Sequence, residues 1–482
     1  MESEKVAIIG AGWAGLQMLQ SLKELGVEAE VFESRSEVGG TWTPEMSYHG
    51  LQVHSPMYTN LMTYKGQAFP FKGMNRETLL QKLDAESVRV YLGDFAEKLG
   101  LKPKIQCNSR VKEIRYHSKS QSAYLSVESN GREVEKGPYR LVVFSSFAAK
   151  ASFPKIPAQG FQGKLIHSSQ FKEEVMDEII KKDLKVLVVG GGKSGCDMIC
   201  AFQKKGYKRL TWLFRSPYWF LKYGAVVHGG SPLGMLRGFL FLFSLLLFLV
   251  SNKLPVFVGW LVGYFVLPKS EGALPQHFDG RRFHFGVLDE KQVNFVEQVA
   301  AKQGEPKAVT KEGLLLESGE TLKCDVVIYA TGCETGFGDL KLVKDGEVVT
   351  VEDVPLYHHA VVPNFPCLIS ASTAFYQFGP SRALTMAQYI TWYLQAAPSE
   401  EEMEAKARRN WSTQSAGKSN GFSSDRTFVA EFLLFYLDLW RDQMVSMFGV
   451  LKIFADLFVF TKMSPLQLNV GKMPAFPTSF PN

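Results

Sequence analysis

The sequence has few of the features that mark disulfide-rich, metal-binding or nucleic-acid-binding proteins. Its six cysteines form no C-x-x-C pair and no metal-ligand spacing, so reduced thiols in a cytosolic compartment are expected. The balance of 54 basic against 48 acidic residues is too even over 482 positions to favour a nucleic-acid partner. Glu2 and Glu4 stand where a signal peptide would be basic, so no signal peptide is expected.

The composition excludes further classes of chain. It is 46% hydrophobic and 21% charged, which is typical of a folded globular protein and excludes disorder, collagen and a coiled coil. At roughly 150 residues per domain, the length predicts about two to four units. His358 and His359 are adjacent, so on a strand they would point to opposite faces, and no metal site is predicted.

Two segments about 180 residues apart share the order of a strand, a glycine-rich loop, a helix and a second strand. The loops read Gly10-Ala11-Gly12-Trp13-Ala14-Gly15 within residues 5–33 and Gly190-Gly191-Gly192-Lys193-Ser194-Gly195 within residues 185–215. Glycines at this spacing allow a tight turn, a close approach of backbone to a pyrophosphate and close packing of helix on strand. The sequence therefore predicts two dinucleotide-binding units.

The two units differ at the end of the second strand. Glu33 ends this strand in the first unit, and a carboxylate there suits the ribose hydroxyls of an adenosine without a 2′-phosphate. Arg215 and Ser216 take the equivalent place in the second unit, where a guanidinium and a hydroxyl suit a 2′-phosphate. We therefore expect FAD in the first unit and NADPH in the second. A solvated arginine at a strand end is the alternative interpretation of Arg215.

Further motifs resemble a known family. The segment Phe161-Gln-Gly163-Lys-Leu-Ile-His167-Ser-Ser-Gln-Phe171 is similar to the F-x-G-x-x-x-H-x-x-x-[Y/F] signature of class B flavin monooxygenases. It is closer to the flavin-containing, N- and S-oxygenating branch than to the Baeyer–Villiger branch, where tryptophan usually ends the motif. Supporting similarities run through Glu37-Val-Gly39-Gly40-Thr41-Trp42, Tyr58-Thr-Asn60, Phe69-Pro-Phe71, Tyr91-Leu92, Phe95-Ala96 and Asp325-Val-Val-Ile-Tyr-Ala330-Thr331-Gly332.

The resemblance implies an α/β fold with two Rossmann-like domains. The FAD-binding domain is expected at residues 1–160 and 325–482, and the NADPH-binding domain at residues 161–324. The cofactor-binding candidates are Gly10, Gly12, Trp13, Ala14, Gly15, Glu33, Gly40, Thr41, Trp42, His54, Gly190, Gly192, Lys193, Ser194, Gly195, Arg215, Ser216, Ala330, Thr331, Gly332 and Gln388. Lys193 and Ser194 are expected to reach the NADPH diphosphate, or else to be solvated loop residues.

The family's chemistry implies that reduced FAD reacts with O₂ to give a C4a-hydroperoxyflavin, from which an amine nitrogen or a sulfide takes an oxygen. Asn60 is the catalytic candidate beside this intermediate, with a turn asparagine as the alternative. His167 is expected to organise the linker between the domains, with a direct role as a base as the alternative. Cys196 and Cys200 have a C-x-x-x-C spacing, but they follow the second loop and are interpreted as buried helix residues rather than a disulfide-reductase pair.

Two segments depart from the family pattern. Residues 144–146 read Phe-Ser-Ser where a first A-T-G motif is usual, and residues 369–371 read Ile-Ser-Ala where a glycine usually lies beside the isoalloxazine. These departures leave open a flavoprotein that has lost oxygenation and works as an uncoupled NADPH oxidase or as a cofactor-bound binding partner. A Baeyer–Villiger oxygenase acting on ketones stays open as a second alternative.

A long apolar insertion lies inside the expected NADPH domain. Residues 234–268 show no polar helix face. Five basic and aromatic residues frame them as interfacial anchors would: Arg237, Lys253, Trp260, Tyr264 and Lys269. We expect monotopic attachment to the cytoplasmic side of a membrane, the endoplasmic reticulum in a eukaryote, with a buried helical hairpin as the alternative. The expected partners are a small lipophilic substrate, O₂ and the membrane surface, and a homodimer stays open.

Overall fold

The computed structural model describes residues 5–53, 57–65, 67–79, 81–145, 150–215, 219–222, 283–334, 337–351, 354–358, 360–370, 379–396 and 398–408. Within these residues the α-helices are α1 Trp13–Glu24, α2 Arg76–Leu79, α3 Ala85–Lys98, α4 Glu173–Lys181, α5 Lys193–Lys204, α6 Glu290–Glu297, α7 Gly379–Ala396 and α8 Glu400–Ala407.

A parallel five-stranded sheet forms the centre of what we call the first unit. In spatial order its strands are β24 Leu368–Ser370, β9 Leu141–Phe144, β1 Val6–Ile9, β2 Ala29–Phe32 and β5 Ile105–Gln106. The middle strands are short apolar runs because both of their faces are covered. Helices α1, α3, α7 and α8 supply the buried residues on one face.

A second parallel sheet forms the second unit. Its strands, in spatial order, are β11 Lys164–His167, β20 Val326–Tyr329, β12 Val186–Val189, β13 Leu210–Phe214 and β16 Ala300–Gln303. Because β20 lies between β11 and β12, the chain returns to the first unit only after this strand, and not at residue 325 as expected from the sequence. Helices α4, α5 and α6 cover one face of this sheet.

A third sheet covers the other face of the first one. Its strands, in spatial order, are β23 Glu347–Val348, β22 Lys341–Lys344, β6 Ser109–His117, β7 Ser122–Ser129 and β8 Arg132–Tyr139. Ile114 and Leu125 from this sheet share a core with Ala7 and Val142 of the first. The remaining strands are β3 Thr63–Tyr64 with β4 Gln67–Ala68, β10 Lys150–Ala151 with β21 Cys333–Glu334, β14 Trp219–Lys222 with β15 Phe283–Leu288, and β17 Pro306–Thr310, β18 Gly313–Leu316 and β19 Thr321–Lys323.

The expected α/β class with Rossmann-like sheets is confirmed. Both predicted strand–loop–helix–strand units are present, as β1–α1–β2 and β12–α5–β13. The apolar insertion at residues 234–268 lies outside the described residues. In the part of the chain that the structure describes, no helix has both the length and the apolar character needed to span a bilayer.

Candidate nucleotide sites and active site

The first glycine loop brings helix α1 into direct contact with the end of strand β1. A Cβ atom added to Gly15 would lie 1.9 Å from the carbonyl oxygen of Gly10, so only glycine allows this approach. The amide of Gly10 donates to the carbonyl of Phe32 at 2.8 Å, which ties the loop to strand β2. The first turn of α1 therefore presents its N–H groups directly at the end of the sheet, as an anionic diphosphate requires.

Glu33 lies beneath this loop with its carboxylate fixed. Its side chain is 3% exposed, and Oε2 accepts from the amide of Ala11 at 2.8 Å. Oε1 accepts from the amide of Arg35 at 3.0 Å and from the Ser34 hydroxyl at 3.3 Å. Each carboxylate oxygen can accept more than one hydrogen bond, so the group still has acceptor capacity for ribose hydroxyls.

A second loop meets the first one backbone to backbone. Gly40 has φ +58°, and a Cβ atom on it would lie 3.0 Å from the Cα of Gly12. Thr41 is exposed and Trp42 is half-buried on this loop, and the Trp42 ring meets the Trp13 ring edge to face at 6.1 Å. The two loops thus form a cradle with close backbone and flanking indoles, which fits the ADP part of FAD.

Ser145 lies beside this cradle, in the segment that reads Phe-Ser-Ser where an A-T-G motif is usual. Its hydroxyl donates toward the carbonyls of Ile9, at 2.8 Å, and Gly10, at 3.1 Å. The altered segment therefore still fixes the turn that enters the first loop. Ser146 lies outside the described residues.

The segment that carries Asn60 is held on α1 and α3. Asn60 is half-buried at the end of a 3₁₀ helix, Met57–Asn60. The side chain of Gln17 on α1 bonds both the N–H and the C=O of Thr63 at 2.8 Å. The amide of Met62 donates to the Tyr91 hydroxyl at 2.7 Å, and burial raises the pKa of Tyr91. The position of the Asn60 segment is thus tied to α1, and the first turn of α1 is part of the first glycine loop.

The second glycine loop packs against the turn that follows strand β20. A Cβ atom on Gly190 would lie 2.2 Å from the carbonyl oxygen of Ala330. The amide of Ala330 donates to Val189 at 2.7 Å, and the Trp212 indole donates to the Gly190 carbonyl at 2.9 Å. The structure therefore brings Ala330, with Thr331 and Gly332 after it, to the second loop.

The polar candidates of the second unit occupy different environments. The Arg215 side chain is 71% exposed and its guanidinium lies 3.6 Å from Glu305. Ser194 is half-buried in the first turn of α5. Lys193, in contrast, is 3% exposed and forms an ion pair with Asp197, so it is not the solvated loop residue of the alternative interpretation. Its expected contact with the diphosphate stays a prediction.

His167, the last residue of β11, contacts the turn that follows β20. Its Nε2 lies 2.8 Å from the Gly332 carbonyl oxygen and its Nδ1 lies 3.0 Å from the Ser169 hydroxyl. Burial lowers the pKa of His167, which favours the neutral imidazole. A Cβ atom on Gly163 would lie 2.0 Å from the Asp325 carbonyl oxygen, so this part of the motif seats β11 on β20. These contacts fix His167 within the second unit, and its expected role in organising the linker between the domains stays a prediction.

Other expected residues are placed apart or are not described. Gln388 is exposed on α7, and His54 and Ser216 lie outside the described residues. Cys196 and Cys200 are buried within α5, as expected for helix residues, and burial raises the pKa of both thiols. Three polar residues between the two units were not expected from the sequence: Tyr48, Lys82 and Asp289. An acidic residue three positions before a glutamine, Asp289-x-x-Gln292, was the available signal for the helix start there.

The chain is similar to known flavin-dependent monooxygenases. The model of the flavin-binding monooxygenase-like family matches residues 3–373. The chain is 24% identical over 400 residues to the probable FAD-binding monooxygenase AlmA of Acinetobacter baylyi, covering 75% of each chain. It is 29% identical over 216 residues to the senecionine N-oxygenase of Tyria jacobaeae, covering 41% of this chain and 44% of that protein.

A solved structure supports the fold. The crystal structure of OTEMO in complex with FAD and NADP has a TM-score of 0.62 at 14% identity, covering 92% of this chain and 98% of that one. The family model extends over far more than half of the sequence, and the glycine cradle, the buried Glu33 and the second glycine loop fit its two cofactors. The chain therefore belongs to the flavin-binding monooxygenase-like family and is a monooxygenase that uses FAD and NADPH.

Proposed function

We propose that this enzyme transfers one oxygen atom of O₂ to an amine nitrogen or a sulfide sulfur of a small lipophilic substrate. The reaction balances as substrate, NADPH, H⁺ and O₂ giving oxygenated substrate, NADP⁺ and water. The observation that carries the assignment of cofactors to sites is the contrast between Glu33 and Arg215 at equivalent strand ends.

Glu33 supports FAD in the first unit. The carboxylate is buried at the loop and oriented by the amides of Ala11 and Arg35. A ribose diol can donate to its remaining lone pairs, whereas a 2′-phosphate would place a second anion against a buried one.

Arg215 supports NADPH in the second unit. Its guanidinium is largely exposed, and its contact with Glu305 at 3.6 Å is a weak surface ion pair. A 2′-phosphate can compete for the guanidinium with a stronger, bidentate contact.

The residues around Asn60 supply positioning and exclusion of water. When bound and reduced by NADPH, the flavin supplies the electrons that activate O₂. The ring of Trp13 lies 6.2 Å from that of Tyr91, and the ring of Phe69 lies 5.8 Å from it, so an aromatic wall runs beside the Asn60 segment. We assign the Asn60 carboxamide to hydrogen bonding at the reacting group, where a fixed dipole in a dry site has its largest effect.

Phe171 supports oxygenation of nitrogen or sulfur rather than of ketones. Phe171 is the last residue of the F-x-G-x-x-x-H-x-x-x-[Y/F] motif, at the position where the Baeyer–Villiger branch usually has tryptophan. Its ring is fully buried, 5.4 Å from that of Phe202 and 6.2 Å from that of His49, and its carbonyl accepts from the His49 amide at 2.7 Å. The name of the Tyria jacobaeae relative, an N-oxygenase, points the same way.

A substrate screen with an Asn60→Asp variant tests the proposal. NADPH consumption, product mass and peroxide are measured with tertiary amines, sulfides and cyclic ketones. The wild-type enzyme should give N- or S-oxides, and Asn60→Asp should lower product formation by about 100-fold, as loss of one fixed donor does, while peroxide per NADPH rises.

Asn75→Asp is the matched control, because the Asn75 Oδ1 accepts from the Thr78 amide at 2.9 Å and from the Thr78 hydroxyl at 3.3 Å, and aspartate preserves that acceptor. Esters from ketones would instead identify a Baeyer–Villiger enzyme. Peroxide equal to the NADPH consumed, with every substrate, would identify an uncoupled NADPH oxidase.

We further propose that residues 234–268 attach the enzyme to the cytoplasmic surface of a membrane. Support comes from the sequence, which has no polar helix face in this segment and has basic and aromatic residues within it and beside it. A lipophilic substrate would then reach the site from the bilayer.

A further inference from the structure

A largely buried polar cluster joins the first unit to the second, with the Asp289 side chain 37% exposed. We call it the inter-unit cluster, and its members are Tyr48, Lys82, Lys193, Asp197, Asp289 and Gln292. Two lysines face two aspartates, so the charges balance. Such a group is costly to bury unless every member is paired.

Asp197 is the centre of the cluster on the side of the second unit. Its carboxylate is 1% exposed. Oδ2 accepts from the Tyr48 hydroxyl at 2.9 Å, across the boundary between the units. Oδ1 accepts from Lys193 and, at 3.4 Å, from Nε2 of Gln292.

Lys82 is the cationic member contributed by the first unit. Its side chain is 6% exposed, and its Nζ lies 3.0 Å from Oε1 of Gln292 and 3.4 Å from Oδ2 of Asp289. Asp289 uses its other oxygen, Oδ1, to cap α6 by accepting from the Gln292 amide at 2.9 Å. The helix cap and the inter-unit ion pair thus use different oxygens of one carboxylate.

The cluster connects two functional segments. Lys193 opens α5 directly after Gly192 of the second glycine loop. On the other side, Gln81 precedes Lys82, and its carbonyl accepts at 3.0 Å from the amide of Met57, which begins the 3₁₀ helix ending at Asn60. A displacement of Lys82 relative to α6 would therefore change the positions of both the second glycine loop and the segment that carries Asn60.

We propose that Lys82 is a positioning residue for the nicotinamide cofactor: through Gln292 and Asp197 it fixes the second glycine loop on the unit that carries Asn60. The inference rests on the assignment of NADPH to the second loop. Lys82 touches neither cofactor in this proposal, and it acts by setting the orientation of α5.

The electrostatics of Lys82 give the proposal a pH signature. Burial and the nearby Lys193 lower the pKa of Lys82 to about 8, against the opposing attraction of Asp289 and Asp197. Above about pH 8 the ammonium is therefore lost in the folded enzyme, and with it the ion pair to Asp289. NADP⁺ affinity should fall as pH rises through this value.

The test measures NADP⁺ binding to the FAD-loaded enzyme, by quenching of flavin fluorescence, between pH 6.5 and 9.5. Lys82→Met should weaken NADP⁺ binding by about 5- to 50-fold at pH 7, within the usual range for coupling between sites, and should abolish the inflection near pH 8. Asp289→Asn keeps the Oδ1 cap but removes the charge that raises the pKa of Lys82, so it should move the inflection to lower pH.

Lys102→Met is the matched control, since Lys102 forms an exposed ion pair with Glu97 at 3.0 Å. Tyr48→Phe removes one hydroxyl of the cluster and serves if Lys82→Met fails to fold; it should also weaken NADP⁺ binding. If Lys82→Met folds, wild-type NADP⁺ affinity together with an unchanged pH profile would overturn the inference. If Lys82→Met does not fold, wild-type NADP⁺ affinity in Tyr48→Phe would overturn it. Loss of substrate oxygenation with these binding effects intact would instead count against the proposed function alone.

Discussion

Replacing Arg215 by glutamine should change the choice between NADPH and NADH without changing the fold. Arg215 follows strand β13, its side chain is 71% exposed, and its ion pair with Glu305 spans 3.6 Å. An exposed pair of this kind contributes about 0–1 kcal/mol, so the melting temperature should hardly move.

The magnitude follows from the contact that would be lost. A hydrogen bond to a charged group contributes about 1.5–3 kcal/mol, and about 1.4 kcal/mol corresponds to a factor of ten. Arg215→Gln should therefore lower kcat/KM for NADPH by about 10- to 150-fold. The value for NADH should change little, because NADH has no 2′-phosphate.

The assay compares initial rates with the two nicotinamide cofactors at fixed FAD content. Arg209→Gln is the control: Arg209 immediately precedes the same strand at its opposite end and pairs with Asp183. An Arg215→Gln enzyme with the wild-type NADPH-to-NADH ratio would refute the assignment of this residue to the 2′-phosphate.

Two further changes test the first loop and the apolar insertion. Gly15→Ala places a Cβ atom 1.9 Å from the Gly10 carbonyl, so α1 must shift, at a cost of about 1–3 kcal/mol, and the protein should purify largely without flavin absorbance. Gly93→Ala on α3, where nothing lies within 4 Å, should keep its FAD; a yellow Gly15→Ala protein would contradict the close-approach argument. Deletion of residues 234–268 should abolish co-flotation with phospholipid vesicles, and equal flotation of the deletion variant and the intact chain would refute membrane attachment by this segment.

The two nucleotide-binding units could be predicted from the sequence because their signals are local. Four-residue apolar runs and glycines at fixed spacing lie within about thirty residues of each other. The observed elements β1 Val6–Ile9, α1 Trp13–Glu24, β12 Val186–Val189 and β13 Leu210–Phe214 agree with that pattern. Glu33 was placed correctly at a strand end for the same reason.

Long-range pairing could not be predicted in this way. Strand β20 carries a family-like motif, but only its parallel register with both β11 and β12 shows which sheet it joins. Lys193 occupies a first-turn position that is usually solvated, and its burial depends on Asp197 one turn later. Lys82 and Asp289 are separated by 207 positions, so no window along the chain contains both.

The first sheet has a consequence for synthesis on the ribosome. Its edge strand β24 pairs with β9, yet roughly 220 residues separate Phe144 from Leu368. At a synthesis rate of about 5–20 residues per second, β24 leaves the ribosome about 10–45 s after β9. During that interval the second unit can complete its own sheet, while the exposed edge of β9 is a site for chaperone binding or mispairing.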